Sequence, residues 1–374
     1  SPVGIIKASL GGIVEPSTVA HASSHTEGGS DVITVTGNQI SNYQSFRNVI
    51  INGAMQVAQR STSVASITTS GYKTADRWKI TANYGTYTQS VVADAPTGSG
   101  FSNSLKMACT ASATPTTNQS LTVYQVIEGQ NIQHFAKGTS SAKSFAVSFW
   151  VKSNLTGTFV VTLYDGNNTR SVGKTYTVAS SGTWEKKTVI FPADTTGVFN
   201  NDNGASLYLE FCLGAHSTWT SGTLNTTWAS YVQANYMAGL SVDVGSSNSN
   251  YWQVTGVQLE AGSVATPFEF EPYETTLRKC QRYYWRHTAG ANNVFGAAFT
   301  DTTTAGLVFV QFPVTMRTSP TGIEVPASSN FNLYATSSRT LNSGPTFASA
   351  SNTTCRMSIG WASAVAAAGQ AAFL

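Results

Sequence analysis

The residues that could perform catalysis are few and are spread along the chain. Its 374 residues include 18 acids and five histidines. Hydrolysis of a glycosidic bond needs two carboxylates about 5–10 Å apart; Glu269 and Glu271 would share a face of a strand, but in a segment expected at the surface. No Gly-x-Ser-x-Gly turn, P-loop or dinucleotide fingerprint occurs. The sequence therefore predicts a protein that is not an enzyme and has no organic cofactor.

Binding chemistry is better represented, in the segment 214–245. It contains His216, Trp219, Tyr231 and Tyr236 among Ser, Thr, Asn and Gly. Clefts lined by aromatic side chains with a few polar groups suit small ligands such as sugars. These four residues are therefore candidates for a glycan contact, with Trp219 as the exposed platform. The alternative is a contact with a neighbouring subunit, since exposed aromatic residues mark interfaces of every kind.

Two kinds of segment could bind a metal ion. His21 and His25 could supply imidazole ligands in several copies if chains meet at a threefold axis. No carboxylate or cysteine lies at ligand spacing, so ordinary packing between chains is the alternative. The turns 165–168 and 200–203 are rich in oxygen atoms and could hold calcium, but each has one carboxylate and otherwise common turn residues. The four cysteines have no zinc-site spacing and are expected to be buried thiols.

The composition restricts the partners. Charged residues make up 10% of the chain, against about 25% in an ordinary soluble domain. The net charge of +3 comes without any run of like charges, which argues against a nucleic-acid partner. No apolar stretch is long enough to span a membrane, so no membrane insertion is expected. Hydrophobic residues make up 41%, so buried cores are expected under a surface of Ser, Thr, Asn, Gln and Gly.

The elements that would position these residues are short strands with a period of two. Clean alternation occurs in 145–151, 158–164 and 206–213, and the turn at 165–168 predicts a hairpin. Further strands are expected at 77–82, 87–93, 104–111, 121–128, 171–178, 184–191, 252–260 and 306–313. Many strands with recurring turns predict an all-β fold, an antiparallel jelly-roll sandwich.

Four segments are expected along the chain. Residues 1–46 form an extended leader that is too polar to fold alone. Residues 47–273 form the jelly roll, and 274–289 a short connector helix, because Leu277 and Cys280 begin an apolar stripe. Residues 290–374 form a smaller C-terminal β domain.

Four separated motifs carry a resemblance to a known family. They are the segments 48–60, 74–78, 254–269 and 277–284. Together they resemble a family of marine and environmental phage tail-fibre-like proteins, over roughly residues 48–290. The resemblance implies a jelly roll similar to carbohydrate-binding modules. Within it, the first and last motifs are expected to pair as strands, and Trp78 and Trp184 to anchor the core.

The leader carries a second resemblance. His21 and His25, followed by Gly28 to Asp31, are similar to an element of many trimeric phage fibres. Val32 stands where that element usually has proline, which makes the turn less rigid. The resemblance implies that the leader serves virion attachment or trimerisation.

Both resemblances together imply a homotrimer in the virion, a tail-fibre or adhesin subunit. Such a subunit would contact other tail or capsid proteins and bind host-surface glycans, with weak sites strengthened by avidity. One alternative is a decoration, baseplate or adaptor protein with no host ligand. Another is a polysaccharide depolymerase.

Overall fold

The computed structural model describes residues 46–287, 294–334, 338–363 and 371–374. The expected leader, including His21 and His25, lies outside these residues except for Phe46. Within them the chain is mainly antiparallel β, which confirms the predicted fold class.

Two sheets form the sandwich. The first contains β1 (Ser63–Ile67), β4 (Thr86–Val92), β5 (Ser104–Ala111), β7 (Phe145–Ser153), β10 (Glu185–Phe191) and β13 (Tyr251–Ala261). The second contains β2 (Gly71–Tyr72), β3 (Lys79–Ala82), β6 (Ser120–Glu128), β8 (Gly157–Asp165), β9 (Arg170–Val178), β11 (Ala205–Ala215) and β12 (Ala229–Ser230). Their spatial orders are β1-β4-β5-β13-β7-β10 and β12-β9-β8-β11-β6-β3-β2.

The apolar side of each strand faces the space between the two sheets. Phe149 of β7 and Phe211 of β11 come from opposite sheets, and their ring centroids are 5.0 Å apart. Trp78 is fully buried beside Phe211, as expected of a core anchor. Trp184 is different, because it precedes an edge strand and is only half-buried. Its Nε1 donates to Asp94 Oδ1 at 3.1 Å, so its expected place in the core is wrong.

The first motif pairs through its backbone with the third, and it meets the last motif where the side chains of Gln59 and Arg60 contact Tyr284. Val49 N donates to Leu259 O, and Val257 N donates to Gly53 O, both at 3.0 Å. A Cβ on Gly53 would stand 2.1 Å from the carbonyl oxygen of Val257, so this close approach requires glycine. The last motif forms no strand, so the expected pairing of the first and last motifs is wrong.

Three short α-helices accompany the sheets in the described residues: α1 (Ser217–Thr220), α2 (Gln233–Tyr236) and α3 (Tyr273–Gln281). The predicted connector helix corresponds to α3, and its Cys280 is buried. None of the helices in the described ranges is long and apolar enough to cross a membrane.

A third antiparallel sheet follows α3. It contains β14 (Ala297–Thr300), β15 (Ala305–Gln311), β16 (Asn332–Tyr334), β17 (Ser338–Thr340), β18 (Ser343–Ala350), β19 (Thr354–Gly360) and β20 (Ala371–Phe373), in the order β17-β16-β20-β14-β15-β19-β18. Its buried side chains, such as Val308, Leu333 and Met357, form a core separate from that of the sandwich. This sheet is the smaller C-terminal β region that the strand pattern predicts.

Candidate functional site

Three of the predicted glycan-contact residues lie together on the outer face of the second sheet. Trp219 of α1 and Tyr236 of α2 have ring centroids 6.3 Å apart, and Tyr231 is 5.4 Å from Tyr236. His216 is the N-cap of α1, where its Nδ1 accepts from Thr218 N at 3.1 Å. The three aromatic residues therefore form one cluster, and His216 holds the helix that presents Trp219.

The exposure of these rings differs from the expectation. Trp219 is half-buried rather than exposed, and its buried Nε1 has no hydrogen-bond partner in the described part of the chain. Tyr236 is 6% exposed, and its hydroxyl donates to Glu210 Oε2 at 2.9 Å. A covered ring offers no stacking face, so Tyr236 supports its neighbours. A glycan contact at Trp219 or Tyr231 stays a prediction.

A row of tyrosines that the sequence did not reveal continues from this cluster. Tyr124 of β6, Tyr208 of β11 and Tyr164 of β8 are half-buried on the outer face of the second sheet. Ring centroids are 6.2 Å apart between Tyr124 and Tyr208 and 5.5 Å between Tyr208 and Tyr164. Tyr231 follows at 5.5 Å from Tyr164. Because neighbouring strands are about 4.8 Å apart, these four rings, here called the tyrosine row, form a continuous aromatic strip.

The hydroxyl groups of Tyr124, Tyr208 and Tyr231 are hydrogen-bond donors at neutral pH. Burial raises the pKa of both Tyr124 and Tyr208 above the ordinary value. Burial also raises the pKa of Tyr231 to about 12. The row therefore offers ring faces for apolar contact and neutral hydroxyl groups beside them.

At Tyr124 the row opens into a cleft of about 300 Å³. Its lining includes Tyr72, Lys79 and Tyr208 from the sandwich, and Tyr283 and Tyr284 from the segment after α3. Arg317, from the segment between β15 and β16, also lines it. The Nδ2 of Asn203 donates to Arg317 O at 2.7 Å, and Arg317 Nη1 donates to Asn203 O at 3.1 Å. Residues after α3 and from the C-terminal region thus complete a site on the sandwich.

Both acids that line the cleft already accept hydrogen bonds from other groups of the protein. Glu128 accepts from Arg282 Nε at 3.0 Å and from Arg282 Nη2 at 2.9 Å, and also from the Tyr283 hydroxyl. Burial opposes its charge, but these hydrogen bonds outweigh burial, so the pKa of Glu128 is below its ordinary value. Asp76 is 2% exposed and accepts from Gln59 N at 3.1 Å. Burial raises the pKa of Asp76.

Glu210 is remote from this pair. It lies on β11 opposite Tyr124, which is four residues before Glu128 on β6. At about 3.3 Å per residue along a strand, Glu210 and Glu128 are about 13 Å apart, whereas a hydrolytic pair needs about 5–10 Å. Glu210 is also half-buried, and the Tyr236 hydroxyl donates to its Oε2.

The metal-binding hypotheses have little support where they can be examined. No group of three or more His, Cys, Asp or Glu in the described ranges is placed to hold a metal. At the turn 165–168, the ammonium of Lys137 lies 2.5 Å from Asp165 Oδ2 and 3.1 Å from Asp194 Oδ2. A lysine therefore occupies the place considered for calcium. All four cysteines are free and buried.

Comparisons with known proteins find similarity only among solved structures. No protein-family model matches the chain, and no curated protein matches it. A tailspike protein 4 enzymatically active domain of bacteriophage CBA120 matches with a TM-score of 0.30 and 13% identity, over 57% of this chain and 21% of that one. The chain thus spans about a fifth of that domain.

Carbohydrate-binding modules are among the other similar structures. A family 4 module matches with a TM-score of 0.29 and 12% identity, over 56% of this chain and 97% of that one. A family 11 module of Clostridium thermocellum, in complex with a mixed-linked tetrasaccharide, matches with a TM-score of 0.27 and 11% identity, over 55% of this chain and 99% of that one. TM-scores this low do not establish a shared fold.

Proposed function

We propose that this protein is a virion component of a phage, a tail-fibre or adhesin subunit that binds host-surface glycans without cleaving them. The observation that carries the glycan proposal is the tyrosine row leading into the cleft. Aromatic faces with a few convergent polar groups are typical of small-ligand sites, and sugar rings present both C–H faces and hydroxyl groups. The virion role rests on the four motifs and on the leader.

The state of the acids supports binding without hydrolysis. A general acid must hold a proton near neutral pH, and a nucleophile must reach the sugar. Glu128 is tied to Arg282 with a lowered pKa, and Asp76 is buried against Gln59. Glu210 has the raised pKa of a general acid, but the Tyr236 hydroxyl donates to its Oε2 and it is remote from Glu128.

A glycan array probed with the full chain tests the proposal. We expect Tyr208→Ala to weaken binding about tenfold, equivalent to about 1.4 kcal/mol, because it interrupts the middle of the row. Tyr251→Ala is the matched control, since Tyr251 is a half-buried tyrosine on the first sheet. Equal loss in both variants, or silence of the whole array, would contradict the proposal. Trp219→Ala, in the same experiment, tests the contact predicted at α1.

The second candidate is a decoration, baseplate or adaptor subunit with no host ligand. The outer face of the third sheet favours it, because Phe309, Tyr334 and Phe373 are each about half exposed, at 48%, 48% and 55%. Exposed apolar patches mark interaction sites. A silent array would favour this role, and release of reducing ends from host polysaccharide would favour a depolymerase.

A further inference from the structure

We propose that the cleft at the end of the tyrosine row selects acidic glycans, by binding a carboxylate, phosphate or sulfate group carried on the sugar. This inference rests on the proposed glycan-binding function and specifies its ligand class. The ligand would lie along the tyrosine row and place an anionic group in the cleft.

The charge of the cleft is unlike that of the chain. Four cations line it against two acids, in a protein in which 10% of residues are charged. The cations are Arg60, Arg77, Lys79 and Arg317. Glu128 does not offset them, because Arg282 neutralises it with two hydrogen bonds. Asp76 is the remaining acid, and it interacts with the charges of Arg60 and Arg77. Four cations thus face one acid without an arginine partner of its own, and an excess of one sign of charge in a cleft concentrates the field.

Two of these cations, Arg60 and Lys79, lie beside the same aromatic ring of the cleft, that of Tyr72. Arg60 Cζ lies 5.4 Å from the Tyr72 ring centroid, and Lys79 Nζ lies 5.9 Å from it. Arg60 Cζ also lies 3.5 Å from the Tyr284 ring centroid, so the guanidinium is held between two rings. Neither cation forms an ion pair with an acid in the part of the chain that the structure describes. Their charges are therefore available to a ligand.

A third cation, Arg77, is more buried than Arg60 and Lys79. Arg77 is 6% exposed, its Cζ lies 3.4 Å from the Tyr283 ring centroid, and its Nη2 donates to Val126 O. Its Nε is buried and has no hydrogen-bond partner in the described residues. Burying a charged donor without a partner is costly, and an anion in the cleft would offset that charge.

Strand pairing places one of the cations, Lys79, beside the first ring of the tyrosine row. Lys79 is paired with Tyr124 across β3 and β6, and Tyr72 is paired with Lys79 across β2 and β3. Lys79 Nζ lies 5.6 Å from the Tyr124 ring centroid. A sugar stacked on Tyr124 would thus have a cation beside it. Guanidinium groups match the planar oxygens of carboxylates, phosphates and sulfates.

Stacking faces and basic residues are also found in proteins that bind single-stranded nucleic acid. Those proteins follow a charged backbone along the whole strand. Here the cations are confined to one end of the row. Tyr208, Tyr164 and Tyr231 continue beyond them, and no lysine or arginine among the described residues lies over their rings. The arrangement therefore favours a ligand with a mostly neutral body and an anionic group at one position.

Calorimetric titration of the full chain tests the inference. The probes are oligogalacturonate for carboxylate, heparin oligosaccharide for sulfate, a phosphorylated mannan oligosaccharide for phosphate, a neutral galacto-oligosaccharide, and a short oligothymidylate. Each is titrated at ionic strengths of about 0.01 M and about 0.15 M. The variant is Arg60→Gln with Lys79→Gln. The matched control is Lys106→Gln, because Lys106 Nζ lies 4.6 Å from the Tyr251 ring on the first sheet.

We expect at least one acidic oligosaccharide to bind tenfold or more tightly than the neutral one, with an affinity that falls as salt rises. The double variant should lose that advantage, and urea unfolding should show that it is as folded as the unaltered protein. Lys106→Gln should bind like the unaltered protein. Equal affinity for acidic and neutral glycans, or an unaffected double variant, would overturn the inference and leave glycan binding standing. Tighter binding of oligothymidylate than of any glycan, or no binding of any glycan, would overturn both proposals.

Discussion

At the scale of single residues, Glu210 has surroundings that conflict with its charge. It stands half-buried on the outer face of β11, where the Tyr236 hydroxyl donates to it. Burial raises the pKa of its carboxyl above the ordinary value of 4.5, although the Tyr236 hydroxyl that donates to it acts in the opposite direction. The folded protein therefore holds this proton more tightly than the unfolded chain does.

The stability of the fold should depend on pH through Glu210. Its contribution is complete below the pKa of the unfolded chain and is lost as pH rises through the raised pKa of the fold. Each unit of raised pKa corresponds to about 1.4 kcal/mol. We expect Glu210→Gln, which keeps an oxygen acceptor without a charge, to match the unaltered protein near pH 4 and to become the more stable one as pH rises. Urea unfolding between about pH 4 and pH 8 measures the difference.

Glu274→Gln is the control, since Glu274 is exposed in the first turn of α3. Its effect should stay within about 1 kcal/mol at every pH. A Glu210→Gln protein that is less stable than the unaltered one at pH 8 would contradict the expected state of this carboxyl.

The tyrosine row shows what sequence could and could not predict at this scale. Tyr164 and Tyr208 stand next to Leu163 and Leu207, out of phase with the core alternation, so a period of two places each on the outward side of its strand. A single outward-facing tyrosine on one strand does not predict a row of tyrosines across the sheet. The row exists only because β6, β11 and β8 are neighbours in the sheet, and the order of strands cannot be obtained from alternation. The candidate site was therefore placed at α1 and α2, where aromatic residues are close in sequence.

At the scale of elements, the alternation of apolar and polar residues is sufficient to predict the bounds of a strand where both of its ends are turns. The predicted 104–111 and 171–178 correspond to β5 and β9 within one residue, because polar turns stop the alternation abruptly. Trp184 lies outside the core where the sequence predicts it inside, because an edge strand shows the same alternation of apolar and polar residues as a central strand. For the last motif, the apolar stripe predicts the helix that forms there, whereas the expected strand pairing came from the family resemblance, which said nothing about how the motif pairs.

The hairpin between β8 and β9 is held by the ammonium group of a lysine, Lys137, which the turn sequence does not reveal. Lys137 is 3% exposed and lies far from this turn in sequence. Besides the carboxylates of Asp165 and Asp194, its Nζ donates to Gly197 O at 2.8 Å and to Thr196 O at 3.1 Å. Arg170 Nε also binds Asp194, at 2.9 Å. The ammonium therefore ties together the segments that contain Lys137, Asp165 and Asp194.

Removing this ammonium should destabilise the sandwich strongly. We expect Lys137→Met to lower the free energy of unfolding by about 3–5 kcal/mol, because Asp165 is left as a buried charge without its partner. Adding Asp165→Asn should recover part of the loss, since Asp194 still has Arg170. Urea unfolding measures both variants.

Lys187→Met provides the comparison, because Lys187 forms a partly exposed ion pair with Glu185 at 2.6 Å. Pairs of that kind contribute about 0–1 kcal/mol. Similar losses for Lys137→Met and Lys187→Met would mean that the buried network does not hold the hairpin.

At the scale of the whole molecule, the low charge and the small volume of the cleft have a common consequence. A site of about 300 Å³ is at the small end for ligand pockets, and a surface with few charges gives little electrostatic steering. One chain should therefore bind a glycan weakly. Several linked sites would raise the affinity for a surface by about 10²–10⁴ without any new contact, which is the physical reason to expect an oligomer in an adhesin.

The homotrimer proposed from the leader can be measured together with this avidity. Sedimentation equilibrium of the full chain should give three times the single-chain mass of 39.6 kDa. Binding to an immobilised polysaccharide should then be about 10²-fold or more tighter than binding to a free oligosaccharide of the same sugar. Tyr208→Ala should reduce the surface affinity by more than it reduces the affinity for the free oligosaccharide, because each linked site loses the same increment. A single-chain mass together with equal affinities for the two forms would show that the protein does not bind its ligand multivalently.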